Sequence, residues 1–409
     1  MSIITLFSGS FCNENPVIQE IISRTGYRLI TDNEVVAEAS QLSEIAENKM
    51  MQAFSAGTSV FNKFTREKEH SIAFLKLALA ELIPDDNALV TCFCGQLIPK
   101  TVSHSLRVCL IASLKHRIAA ASREQGVSEK DAAKVVQKRE EDCSVWIDML
   151  FKQSDPWDAG LYDIVIPADK MAPADAAALI ADNAASDVVR PTPSSKQALT
   201  DFRLAAGTQV ALAREGHTVS VSAKEGSITI TINKHVLRLS RLQDELRSIA
   251  EQVPGVKAVE TKVGKDFHKS DIYRKHNFEM PSKVLLVDDE REFIQTLSER
   301  LVMRDMGPAV AYDGESALNL IKEDEPDVMI VDLKMPGIDG LEVLRKVKET
   351  RPEIEVIILT GHGHVADREL CMKLGAFAYL QKPLDINELS EIIKKANEKI
   401  KRKKAEKSK

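Results

Sequence analysis

From Lys283 onward, five short apolar runs alternate with amphipathic stretches, and this alternation restricts the possible fold more than any other feature of the chain. The runs are KVLLV (283–287), AVAY (309–312), DVMIV (327–331), EVIIL (355–359) and AFAYL (376–380); helical stretches lie near 291–303, 314–323, 340–350, 364–373 and 386–400. Unbroken apolar runs of this length read as strands buried on both faces, and strict alternation with helices implies right-handed crossovers and a parallel sheet. Ligands of such sheets bind beyond the carboxyl ends of the strands. Every polar anomaly of the region falls there: Asp288 and Asp289 end the first strand, Asp332 the third and Thr360 the fourth, and Lys382 follows the fifth.

Adjacent carboxylates repel each other unless a cation or bulk water separates them. Three carboxylates, a hydroxyl and an ammonium on one rim suit Mg²⁺, which prefers oxygen ligands and is commonly held by one or two carboxylates plus a phosphate. The metal would neutralise charge on a transferring phosphoryl group, an aspartate could take that group as an acyl phosphate, and Lys382 and Thr360 could grip its oxygens. Each residue also has an ordinary reading. Asp288 and Asp332 could be caps, Thr360 a turn residue and Tyr379 strand core. Glu290 reads as a favourable charge in the first turn of the next helix. His362 and His364, spaced by one residue in a Gly-containing loop, read as solvated polar residues and not as ligands.

The motifs LLVDDE, VDLKMPGIDG, LTGHG and YLQKPL, in that order, resemble a response-regulator receiver domain over residues 281–400. The resemblance implies a flavodoxin-like, doubly wound, five-stranded parallel sheet. It implies Asp332 as phosphoacceptor, Asp289 as direct magnesium ligand assisted by Asp288, and the backbone carbonyl of Lys334 as a further ligand. Tyr379 would be the switch aromatic that follows Thr360, Lys382-Pro383 would be a step whose cis bond aims the lysine, and Gly361 would leave access to the acceptor.

The chain of 409 residues should divide into several domains. A linker is expected at 184–198, where prolines and serines interrupt an alanine-rich helix, and another at 265–280; 401–409 is a basic tail. Between the linkers, 197–215 reads helical and HTVSVSAKEGSITITINKH reads as a hairpin about Glu225-Gly226. A helix at 240–252 and the strand VKAVETKV complete a small α+β domain (199–264), whose VPGVKAV corner resembles the BON module.

Residues 1–183 begin with the strand MSIITLF, a Ser-Gly-Ser turn and a helix, and continue through NALVTCFCGQL, LRVCLIAS and LYDIVI. The order of elements resembles a cytidylate-kinase-like, P-loop-type α/β domain. A phosphate cradle needs glycines that let successive N–H groups face the anion, and a basic residue. Here the loop reads SGSFCNENP, with one glycine, no lysine, and Glu14 where phosphates would lie; no Asp-x-x-Arg lid spacing occurs in 131–150. Arg107, Lys115 and Arg117 read as a solvated helix face. The expectation is a kinase-like fold without transfer activity, able to bind a partner or a nucleotide as a signal.

A formal net charge of -6 speaks against a dedicated nucleic-acid binder. Six cysteines without a C-x-x-C pair read as thiols of a reducing cytoplasm. The N-terminus lacks a basic region of the signal-peptide kind, and no segment approaches the ~20 apolar residues of a membrane span. No DNA-reading motif follows the last helix. The expected function is a cytoplasmic two-component response regulator, phosphorylated on Asp332 by a sensor histidine kinase or phosphotransfer protein with Mg²⁺. Its output would pass to an unknown effector protein through protein contacts. The alternative is a receiver-regulated nucleoside monophosphate kinase.

Overall fold

The computed structural model describes residues 2–43, 45–57, 67–84, 86–233, 239–264, 283–302, 306, 308–361 and 365–407. His362 and His364 and the expected linker at 265–280 lie outside these. The chain forms two compact units, one of residues 1–58, 68–213 and 218–273, the other of 59–67, 214–217 and 274–409.

The first unit contains a parallel sheet of order β2-β3-β1-β4-β5, with β1 Ile3–Ser8, β2 Arg28–Ile30, β3 Ala88–Thr91, β4 Ser105–Ile111 and β5 Ile164–Pro167. Its helices are α1 Glu14–Thr25, α2 Asp32–Ser43, α3 Glu47–Met51, α4 Glu67–Leu82, α5 Cys92–Gly95, α6 Leu114–Gln125, α7 Glu129–Phe151 and α8 Pro173–Ala184. Successive β1 residues feed opposite cores, Ile3 and Phe7 one and Ile4 and Leu6 the other, so both faces are covered. The segment NALVTCFCGQL is strand only as far as Thr91. The Asp32 carboxylate accepts the N–H groups of Phe93 (3.1 Å) and Cys94 (2.8 Å), and Cys92 takes a left-handed φ of 62°, which turns the chain out of the sheet into α5.

The stretch 184–198 is not a linker throughout. Helix α9 runs Pro193–Arg214, so its first turns occupy the second half of that stretch. Pro193 fits a first helical position, where its missing N–H costs nothing. Thr192 and Ser195 cap reciprocally, Ser195 N–H donating to Thr192 Oγ1 (3.1 Å) and Thr192 N–H to Ser195 Oγ (2.9 Å). One stripe of α9 (Leu199, Phe202, Ala206, Val210, Ala213) packs into the core of the first sheet, and Arg203 donates to the carbonyls of Ala80 and Ile83 near the end of α4. Leu204 and Leu212 instead join the core beneath a three-stranded sheet of order β6-β7-β8, with β6 Ser220–Lys224, β7 Ser227–Ile232 and β8 Ala258–Val263. Helix α10, Leu239–Glu251, covers the same face of this sheet. The hairpin forms about Glu225 and Gly226, both at positive φ, and Asp201 of α9 accepts both of their N–H groups. The small α+β region therefore shares a helix with the first sheet and falls in the same compact unit.

The second unit carries a parallel sheet of order β10-β9-β11-β12-β13: β9 Val284–Val287, β10 Pro308–Ala311, β11 Val328–Asp332, β12 Glu355–Thr360 and β13 Ala378–Gln381. Alternate residues again serve opposite faces. Leu285, Val287, Met329 and Val331 pack with α12 (Gly314–Glu323) and α13 (Gly340–Thr350), while Val284, Leu286, Val328 and Ile330 pack with α11 (Arg291–Val302) and α15 (Ile386–Lys407). Helix α14 is Val365–Lys373. The expected elements are all present in the expected order. The stretch read as a basic tail from 401 is helical as far as Lys407, because Lys399 and Lys403, each 3.0 Å from the fully buried Glu355 carboxylate, tie α15 to the sheet.

Candidate functional site

The chain order reverses direction at β9, whose neighbours are β10 on one side and β11 on the other. This is the switch point at which doubly wound sheets open a crevice beyond their carboxyl ends. The ends of β9 and β11 bring Asp288, Asp289 and Asp332 there, with one carboxylate oxygen of each within 4.8 Å of the others. Asp288 is buried. Its Oδ1 accepts the Glu290 N–H (2.9 Å) and its Oδ2 accepts from Lys382 Nζ (2.8 Å), so it is both a local turn-former and a partner of the lysine. Asp289 is exposed.

Asp332 is 6% exposed, and its Oδ2 accepts the Lys334 N–H at 3.2 Å. Its Oδ1 is buried and has no hydrogen-bond partner among the described residues; Lys382 Nζ lies 3.6 Å away, within ion-pair range but too far for a hydrogen bond. Burial pushes the Asp332 carboxyl up to about 6; Lys382 opposes that rise and Asp288 adds to it. Burial alone would lower the Lys382 ammonium, but hydrogen bonds to Asp288 and Glu290 hold it above its ordinary value. The asymmetry follows from the count of charges, one ammonium shared among several carboxylates.

Three convergent carboxylates, one of them buried with an unused oxygen, form a hard-oxygen donor set that fits a small divalent cation such as Mg²⁺. Thr360, buried at the end of β12, accepts the Lys382 N–H through its carbonyl (2.8 Å). The Lys382-Pro383 peptide is cis. Among the described residues a Cβ at Gly361 would meet nothing nearer than Lys382 Cδ at 3.9 Å, so their packing does not demand that glycine. Gly340 differs: a Cβ there would lie 2.0 Å from the Asp332 carbonyl oxygen, and its absence lets α13 start against the acidic strand end. Tyr379 on β13 packs partly against the α12 and α13 side of the core, and its hydroxyl is buried without a hydrogen-bond partner among the described residues.

Glu290 departs from the sequence reading. Its carbonyl accepts the first helical N–H of α11, which makes it the N-cap, and its side chain turns to Lys382, with Oε1 3.0 Å from Nζ. The contact joins residues 92 apart, and nothing local in the sequence announces it.

In the first unit the β1–α1 loop borders a cavity of about 260 Å³ whose lining includes Phe11, Asn13, Glu14, Cys92 and Arg139. Phe11 and Asn13 sit at φ 61° and 59°. Arg117 is not on a solvated face: its guanidinium is buried, pairs with Glu140 and donates to Ser10 O (2.9 Å) and Ser10 Oγ (3.1 Å). Lys115 is exposed, whereas Arg107 donates to the Pro99 carbonyl (3.1 Å). Burial raises the Glu14 carboxyl above its usual range, so the mouth of the loop presents an acid where a phosphate cradle needs a cation.

All six cysteines are free thiols. Among the described residues no helix is long and apolar enough to cross a membrane.

Residues 284–394 match the response regulator receiver domain family, and residues 3–170 match the cytidylate kinase-like family. The matches do not include 199–264, and the BON-like resemblance gains no support from them. Response regulator MprA of Mycolicibacterium vanbaalenii is 37% identical over 110 residues, covering 27% of this chain and 48% of the relative; MprA of Mycobacterium bovis is 36% identical over the same length and shares. The chain thus spans about half the length of these curated relatives. Among solved structures, a response regulator receiver domain protein from Clostridium thermocellum is 38% identical, with 30% of this chain and 97% of that chain covered and a TM-score of 0.28. The chain carries a response regulator receiver domain at its C-terminal side and a cytidylate kinase-like domain at its N-terminal side.

Proposed function

We propose that the second unit is a phosphorylation switch in which Asp332 accepts a phosphoryl group from a sensor histidine kinase or a phosphotransfer protein. The observation that carries this reading is the buried Asp332 Oδ1, which has no hydrogen-bond partner among the described residues and lies near two further carboxylates and an ammonium. Asp289 would hold Mg²⁺ directly, with Asp288, Asp332 and the Lys334 backbone carbonyl completing the protein's share. Bound magnesium would neutralise charge on the transferring group. An Asp332 oxygen attacks phosphorus, the bond from phosphorus to the donor's imidazole nitrogen breaks, and the electron pair leaves with the imidazole. Lys382 and the Thr360 hydroxyl then hold the phosphoryl oxygens. Tyr379, whose hydroxyl has no hydrogen-bond partner among the described residues, follows Thr360 inward and changes the face formed by α14, β13 and α15. The reading places the protein in the cytoplasm, with protein contacts and not DNA as its output.

The test is incubation of the whole protein with acetyl phosphate and Mg²⁺, read by intact mass. Wild type should gain one phosphoryl group and Asp332→Ala none; no gain in wild type, or equal gain in the variant, defeats the reading. Pull-downs under the same conditions, wild type against Asp332→Ala, would identify the effector.

The match of 3–170 to the cytidylate kinase-like family favours one second reading, a nucleotide kinase governed by the receiver. Against it stand Glu14 at the loop mouth and the use of Arg117 within the fold, where it donates to Ser10 O and Oγ and pairs with Glu140. The proposal is that this domain binds a partner or nucleotide without transferring phosphate. Transfer from ATP to CMP, with or without phosphorylation of Asp332, would overturn it.

A further inference from the structure

We infer that Glu290 is a positioning residue that competes with the phosphoryl group for Lys382. The inference rests on the receiver reading above and adds to it a role for Glu290, to which that reading assigns none. Lys382 Nζ lies 2.8 Å from Asp288 and 3.0 Å from Glu290, but 3.6 Å from Asp332. It also sits 4.2 Å from the centre of the Phe293 ring, so four groups fix its resting place. The ammonium therefore rests closer to Asp288 and Glu290 than to the oxygen it must serve. An ammonium has three N–H donors, two of which are spent on Asp288 and Glu290, so its hold on a phosphoryl group on Asp332 is shared with these carboxylates and strengthens when one of them lets go.

Asp288 is a poor candidate for release, since it is 5% exposed in its side chain and also holds the Glu290 N–H. Glu290 is 65% exposed, so its carboxylate can return to water at little cost. Glu290 is thus the partner that exchanges. Its charge biases the lysine toward the resting position and lowers the affinity of the site for a phosphoryl-like anion. Its backbone role as N-cap of α11 uses the carbonyl and is untouched by a change of side chain.

Two measurements on the full chain test this. The first needs no metal: a double-mutant cycle of Glu290→Gln and Lys382→Ala, in EDTA and read by denaturation, should show favourable coupling between the two side chains. Additive effects would overturn the pairing. The second is the affinity for beryllofluoride with Mg²⁺, which stands in for the phosphoryl group. Glu290→Gln should bind roughly two- to five-fold tighter than wild type, the range of a partly exposed ion pair. The advantage should shrink as ionic strength rises, because competition by an exposed charge is screened and a structural effect is not. Equal or weaker binding by Glu290→Gln, or an advantage indifferent to salt, overturns the inference while leaving the receiver reading intact. Absence of beryllofluoride binding in wild type would defeat the receiver reading itself and this inference with it.

Discussion

Asp332→Asn should stabilise the metal-free protein at neutral pH. The carboxyl is 6% exposed, and burial lifts its pKa from 3.8 to about 6. The native state then binds this proton more tightly than the unfolded chain does. The penalty is absent below the unfolded value of 3.8, grows as pH rises from there toward about 6, and is complete above. The rise from 3.8 to about 6, at ~1.4 kcal/mol per tenfold change in proton affinity, sets a ceiling of about 3 kcal/mol. Relaxation and water at the rim of a sheet reduce it, so about 1–3 kcal/mol is expected. For a domain near 100 residues this corresponds to roughly 4 °C or more in Tm. Calorimetry of the full chain in EDTA measures it, the receiver transition being the one that Mg²⁺ raises in wild type. The variant should melt higher at pH 7.5, and the gap should close toward pH 4.5. Mg²⁺ should raise wild type more than the variant, because the cation relieves a repulsion that the amide has already removed. Equal melting at pH 7.5, or a gap unchanged at pH 4.5, would refute the assignment of strain to this carboxylate.

Other positions give shorter tests. Gly340→Ala places a Cβ 2.0 Å from the Asp332 carbonyl oxygen and should cost about 1–3 kcal/mol or more, with faster amide exchange in the first turn of α13. Glu355→Gln should fray the end of α15, seen as faster exchange beyond Lys399. In the native protein, burial would raise the Glu355 pKa, but hydrogen bonds from Lys403 and Lys399 bring it below the ordinary 4.5. Its contribution to stability is therefore present above pH 4.5 and should be lost as pH falls through that lowered value. Asp201→Ala removes both acceptors of the β6–β7 turn and should cost about 1–3 kcal/mol, read by denaturation of the first unit.

The parallel sheet of the receiver was legible because each strand is covered on both faces, so residues such as Leu285 and Leu286 are equally apolar although they serve different cores. The acidic rim was legible for the same reason: in a strand with no polar face, a carboxylate can only mark the end. Glu290 and Arg117 were not legible, because their meaning lies in contacts with Lys382 and Ser10, 92 and 107 residues away. A charge in a first turn or on a helix looks the same in sequence whether it meets water or a distant partner.

Helix α9 shows the same limit at the level of whole elements. Proline and serine mark a place where one helix ends, and they equally mark where another begins, since proline fits a first turn and serine and threonine cap it. The sequence around 191–195 carries both signals, and only the two apolar stripes of α9 decide between them: Leu199, Phe202, Ala206, Val210 and Ala213 toward one sheet, Leu204 and Leu212 toward the other. A helix with two buried stripes is a shared wall and not a tether. Through α9 the β6-β7-β8 sheet is joined to the kinase-like domain by direct contacts, Arg203 on the carbonyls at the end of α4 and Asp201 on the hairpin turn.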